Sequence, residues 1–193
     1  KPTREELFDY YRAVAEAVSI PIIIQDTAKS DALLNIDLIW RMYEELPNIH
    51  FVKAEGQDFI SKSESLLKRS NGTMGVIGGA GGRHMIHLLR IGVTSFMTGT
   101  EALDVHSAVV NAFLSGNEDE AADIYYSRLL PYLMFYREHS KELLKGILHR
   151  RGIIDCPKVI PPTGVAPMSD VKAEEFEWIL KRVGLTGRWP DIP

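Results

Sequence analysis

The sequence predicts an α/β protein built on a parallel sheet, and three observations carry that reading. Four short runs rich in β-branched and apolar residues recur, at residues 20–25, 49–54, 72–77 and 93–98. Segments of helical period separate them. The runs start roughly 20 to 30 residues apart, the length of one strand, one helix and their loops. Because the runs are nearly unbroken in their apolar character, the sheet is expected to be covered on both faces. Two architectures satisfy this pattern: a doubly wound open sheet, and a closed eight-stranded barrel of which four units supply half. Periodicity alone does not separate them.

The elements follow in order. An amphipathic helix at residues 4–18 leads into the first strand. A second helix places Leu34, Leu38, Ile39 and Met42 on one face, with Asn35 as its N-cap and Pro47 beyond its end. The second strand is followed by a helix at residues 59–68, the third by one at 84–90, and the fourth by one at 102–114 that stops at Ser115-Gly116. From Glu118 onward the pattern is helical, at residues 118–133, 140–150 and 173–183, the last after Pro161-Pro162-Thr163-Gly164. The expected organisation is an α/β part over residues 1–116 and a helical extension over 117–193. The chain opens without Met, directly on an amphipathic helix, which reads as entry into the middle of a fold with an N-terminal part ahead of it.

Composition narrows the function classes. A net charge of −4 gives no electrostatic reason to expect nucleic acid or an anionic membrane as partner. The single cysteine, Cys156, excludes an intrachain disulfide framework and leaves no Cys/His set with zinc spacing, so a reducing cytoplasm is the expected compartment. No run approaches the ~20 apolar residues of a membrane span, and the first residues do not resemble a signal peptide.

Ligands of parallel α/β folds bind at the carboxyl ends of the strands, which here read Gln25-Asp26-Thr27, Lys53-Ala54-Glu55, Gly78-Gly79-Ala80-Gly81-Gly82 and Thr98-Gly99-Thr100. Lys53 is the most informative of these. A lysine straight after Phe51-Val52 on a covered strand must be paired or neutral, and a desolvated free amine is a nucleophile for ketones. The alternative is a lysine solvated at the strand mouth or bridged to Glu55, which strand alternation puts on the same side. The glycine run lacks the spacing of a dinucleotide fingerprint. It reads either as a backbone approach to a small anion, with Arg83 nearby, or as a loop needing tight turns. Thr100 reads as a helix cap, and Thr98 as cap or substrate donor. His84 and His87, expected on one helix, have no third ligand at metal spacing, so no metal is expected. The aromatic segment Tyr125, Tyr126, Tyr132, Phe135 and Tyr136 reads as packing or a subunit contact.

In order and spacing, Val-x-x-Pro-Ile-Ile-Ile-Gln-Asp, then Ile-His-Phe-Val-Lys-Ala-Glu-Gly, then the glycine loop and Pro161-Pro162 resemble the dihydrodipicolinate synthase and N-acetylneuraminate lyase superfamily. The resemblance covers nearly the whole chain and favours the barrel: the second half of a (β/α)8 TIM barrel plus C-terminal helices. It implies that Lys53, ending the sixth barrel strand, forms a Schiff base with a 2-keto acid, so that no organic cofactor is required. Where the family carries Tyr-Asn-x-Pro on the fifth strand this chain has Gln25-Asp26-Thr27-Ala28. A glutamine cannot relay protons near neutral pH, which leaves Glu55, or a water held by Gln25, to do so. The arginine that dihydrodipicolinate synthases use for their aldehyde substrate falls at Ser30.

The expected function is a lyase, aldolase or dehydratase, acting on pyruvate or a 2-keto-3-deoxy sugar acid, with Gly78, Gly79 and Thr98 lining the substrate. A non-catalytic relative and a true dihydrodipicolinate synthase are the alternatives. By resemblance, the protein is expected to form a homodimer or homotetramer.

Overall fold

The structure is a computed structural model and describes residues 2–27, 34–56, 58–136, 140–160 and 169–186. The chain divides into two compact units, residues 1–80 with 87–97, and residues 81–86 with 98–193.

The first unit is the parallel sheet and its helices. Its elements are α1 (Arg4–Ala17), β1 (Ile22–Asp26), α2 (Ile36–Glu45), β2 (Ile49–Ala54), α3 (Phe59–Arg69), β3 (Gly75–Gly78), most of α4 (Met85–Arg90) and β4 (Ser95–Phe96). The strands run in the order β1-β2-β3-β4, every pair parallel. Local chemistry explains the boundaries. Thr3 and Glu6 form a reciprocal capping box at the start of α1, and the Asn35 side chain accepts the Leu38 N–H at the start of α2. β1 begins at Ile22 rather than residue 20. Pro21 has no N–H to give, and the Ile22 N–H is the first to bond, to the Asn48 carbonyl at 2.7 Å. β3 begins at Gly75 rather than residue 72, because Asn71 and Gly72 take left-handed φ values of 48° and 76° to close α3, the Gly72 N–H bonding to Leu67 O at 2.9 Å. β4 is shorter than expected, since the Val93 N–H still belongs to the close of α4, bonding to Leu88 O.

The core of this unit lies on one face of the sheet. Phe8 from α1, Leu38, Ile39 and Met42 from α2, Leu66 from α3 and Leu88 from α4 pack on Ile24, Val52 and Val76. Residues of opposite phase stay open, with Ile23 43% and Phe51 38% exposed. Among the described residues, helices cover one face of the sheet, and the other carries apolar side chains.

The second unit is helical, as expected from Glu118 onward, and no strand lies among its described residues. It holds α5 (Leu103–Leu114), α6 (Glu118–Ile124), α7 (Leu130–Tyr136), α8 (Ser140–Arg150) and α9 (Asp170–Val183). The expected single helix over 118–133 is interrupted by a π-helical stretch, Tyr125–Leu129. Pro131 supplies the reason: its ring and missing N–H break the α ladder, and a wider turn just before it absorbs the defect. Tyr125 and Tyr132 are buried and Phe135 stacks on Phe176 at 5.3 Å, so much of the aromatic segment serves internal packing, while Tyr126 remains exposed. His84 lies ahead of α4 at φ 60°, which corrects the placement of His84 and His87 on one helix. Thr100 does not cap α5. It starts a short 3₁₀ turn instead, and Glu101 turns inward to accept the buried Tyr132 hydroxyl at 2.7 Å. No helix among the described residues is long and apolar enough to cross a membrane.

Met42 is fully buried where α2 meets the sheet. Met42→Ala is expected to lower unfolding free energy by about 2–5 kcal/mol, read from the urea midpoint at unchanged slope.

Candidate active site

Strand register sets the site. Gln25 on β1 pairs with Lys53 on β2, and Lys53 with Ile77 on β3. Alternation turns Gln25, Lys53 and Glu55 toward the open face of the sheet, while Asp26 and Ala54 point to the covered face, both fully buried. Phe51 occupies the open face one pleat below Lys53 and lies across Gly75, where a Cβ would sit 2.1 Å from the ring. An apolar floor of Phe51 and Ile77 thus borders the lysine.

Glu55 organises the polar groups. Its Oε2 accepts a hydrogen bond from Gln25 Nε2 at 2.8 Å, and its Oε1 accepts the Ala80 N–H at 2.8 Å. Lys53 Nζ lies 3.4 Å from Oε1, with the lysine and glutamate side chains 13% and 20% exposed. Burial works against the Glu55 charge, but the Ala80 N–H, the Gln25 amide and the Lys53 ammonium outweigh it and hold the carboxyl below its ordinary value. Glu55 is consequently a carboxylate near neutral pH.

The glycine loop explains how Glu55 is gripped. Gly79 packs so closely on the Glu55 side chain that a Cβ there would lie 2.2 Å from its Cγ. Ala80 follows at φ 53°, a strained value for a residue with a side chain, and this turn aims its N–H at the carboxylate. The loop serves as a tight turn, with Gly81 and Gly82 at φ 69° and 88°, and its backbone approaches an anion of the protein's own, Glu55. Gly78 faces the other way: a Cβ there would meet Phe96 and Leu88, and its carbonyl accepts the Met97 N–H. Thr98 belongs to the second unit, where its hydroxyl reaches the Gly99 carbonyl at 3.5 Å, a marginal bond. Ser30 and Pro161-Pro162 lie outside the described residues.

Two features escaped the sequence reading. One is the Ala80 amide, since backbone donors carry no residue signature. The other is a buried ion pair between Asp26 Oδ2 and Lys62 Nζ at 2.5 Å. A signal for it was present: Lys62 lies three residues after Phe59 and four before Leu66, on the stripe of α3 that faces the core.

A family model described as "Dihydrodipicolinate synthetase family" matches residues 1–183. Among curated proteins, L-2-keto-3-deoxyarabonate dehydratase of Azospirillum brasilense is 26% identical over 152 residues, covering 77% of this chain and 47% of its own length. The 4-hydroxy-tetrahydrodipicolinate synthase of Methanothrix thermoacetophila is 27% identical over 192 residues, covering 97% of this chain and 63% of its own length. The chain therefore spans about half to somewhat under two thirds of the length of these relatives. Among solved structures, dihydrodipicolinate synthase from Rhodopseudomonas palustris superposes with a TM-score of 0.82 at 21% identity, over 93% of this chain and 62% of that one. The chloride-inhibited enzyme from Acinetobacter baumannii, complexed with pyruvate, gives 0.79 at 25% identity, over 96% and 62%. The likeness to these structures is one of fold. With the family model spanning nearly all of its length, the chain belongs to the dihydrodipicolinate synthetase family.

Proposed function

We propose that the chain carries the reactive site of a Schiff-base lyase acting on pyruvate or a 2-keto-3-deoxy sugar acid. The observation that carries this reading is Lys53 at a strand's carboxyl end, 3.4 Å from a carboxylate that Gln25 and the Ala80 N–H hold in place. In this reading Glu55 takes a proton from Lys53, and the free amine attacks the 2-oxo carbon. The resulting carbinolamine takes that proton back from Glu55 and loses its oxygen as water, giving an iminium and restoring the carboxylate. The iminium accepts the electron pair released when Glu55 withdraws a proton from C3, and hydroxide then leaves C4 with the proton Glu55 holds, as water. For cleavage, the same sink accepts the electrons of the C3–C4 bond while the C4 hydroxyl gives its proton to Glu55. The iminium is itself the electron sink, so the chemistry calls for no metal or organic cofactor.

Gln25 cannot exchange a proton; its part is to orient Glu55, and the pair takes the place of the tyrosine relay expected from the resemblance. Gly79 supplies the room that Glu55 occupies. Gly78 and Thr98 as walls of the substrate site, and Ser30 where an arginine would serve a dihydrodipicolinate synthase, rest on the resemblance. By the same resemblance, Ser30 in place of that arginine favours a dehydratase or aldolase over that synthase, although relatives of both names are similar to this chain.

The same reading takes the four βα units as the second half of an eight-unit barrel, with residues 117–193 as its helical extension. The open apolar face with Ile23 and Phe51 supports it, because a barrel interior is where such a face is filled. A cytoplasmic homodimer or homotetramer belongs to the same proposal.

Incubation with pyruvate or 2-keto-3-deoxy sugar acids followed by borohydride is expected to add the reduced adduct to Lys53, read by peptide mass spectrometry. An unmodified Lys53 across the panel would sink the reading in favour of a non-catalytic relative. Glu55→Gln is expected to lower kcat by about 10²–10⁴ while an adduct at Lys53 can still be trapped. Gly79→Ala should displace Glu55 and reduce turnover in the same direction.

The pH profile has a fixed sign. Since the Glu55 carboxyl is held below its ordinary value, its charged form persists at mildly acid pH, and activity falls only as pH drops through that lowered value. Its contribution to stability is likewise present above the unfolded-state value and lost as pH falls through the folded one. An acidic limb of kcat lying above the ordinary glutamate range would contradict the assignment.

A further inference from the structure

The buried ion pair behind the site has no part in the chemistry above, and its position gives it one. The last residue of β1 is Asp26. Asp26 is held through both its backbone and its side chain. Its carbonyl accepts the Glu55 N–H at 2.9 Å, and its side chain, fully buried on the covered face, receives Lys62 Nζ. The same ammonium donates to the Leu34 carbonyl at 3.0 Å. Lys62 therefore grips the residues on either side of the segment 27–33, from a position on α3 that is itself 8% exposed.

We propose that Lys62, with Asp26, is a positioning residue for the Lys53 site: it fixes the end of β1 and so the reach of the Gln25 amide to Glu55. Gln25 and Asp26 are neighbours pointing to opposite faces, so any slide or roll of the strand end moves both. The Gln25–Glu55 bond at 2.8 Å tolerates little such movement before it is lost. A buried ion pair also costs desolvation that an apolar pair of like volume would not, so stability alone is a poor reason to keep it. The arrangement further separates the two lysines: Lys62 is locked into Asp26 and Leu34 and unavailable to a ketone, and Lys53 faces the open side.

The turnover part of this inference rests on the lyase reading, so the test includes a measurement that does not. The double variant Asp26→Leu/Lys62→Met replaces the pair by apolar side chains and is expected to fold, with a melting midpoint near that of the parent. Competitive acetylation with acetic anhydride, mapped by mass spectrometry, reads the environment of Lys53 without any substrate. The Lys53 rate is expected to change threefold or more in the double variant, and Lys62 in the parent should label at least tenfold more slowly than Lys53. Where a 2-keto acid is turned over, kcat should fall tenfold or more with KM within threefold, and Lys62→Arg should recover part of the loss. A double variant whose Lys53 labels at the parental rate overturns the proposal, whatever the outcome of borohydride trapping in the parent. If the double variant does not fold, the pair is a stability element and the proposal is equally overturned.

Discussion

The site depends on one constraint, the placement of a carboxylate charge at Glu55. Three donors converge on it from three strand ends: the Gln25 amide, the Lys53 ammonium and the Ala80 N–H. Each donor needs a particular backbone. Gln25 needs β1 paired in register with β2, Lys53 needs to share a face with Glu55 two residues on, and Ala80 needs a left-handed turn after β3. Gly79 cannot carry a side chain without pushing Glu55 away. The sheet register, the loop strain and the small residues thus serve a single electrostatic arrangement, and the loss of any one would loosen the others.

The two faces of the sheet divide the work. On the covered face, Ile24, Val52 and Val76 bury apolar area against α1 to α4, and one ion pair, Asp26 with Lys62, interrupts that core at its upper edge. On the open face the same strands present Gln25, Lys53 and Glu55 above Ile23, Phe51 and Ile77. Because alternate residues of one strand serve both faces, the stability of the core and the aim of Gln25, Lys53 and Glu55 are coupled through the backbone. In this arrangement the buried pair one residue beyond Gln25 connects them most directly.

The helical unit shows how a local exception is absorbed. Pro131 would break a continuous helix, and the π stretch before it lets α6 and α7 continue through the defect. Tyr132 and Leu133 remain buried there, with the Tyr132 hydroxyl on Glu101. Glu101 is an internal hydrogen-bond acceptor, since the chain turns through a 3₁₀ step at Thr100–Ala102 before α5.

The sequence by itself determined the parallel α/β unit, the order of its strands and helices, the helical continuation and the place of Lys53 beside Glu55. Those features are local: hydrophobic period, caps, prolines and strand alternation are written in consecutive residues. It also showed Gln25 standing where, by the resemblance, a tyrosine is expected. What only the tertiary structure decided was the company these residues keep. Gln25 and Glu55 are 30 positions apart, Glu55 and Ala80 are 25 apart, and Asp26 and Lys62 are 36 apart. Contacts of that range depend on register and on backbone donors, which have no signature in residue type, and on whether a buried charge finds its partner across the fold.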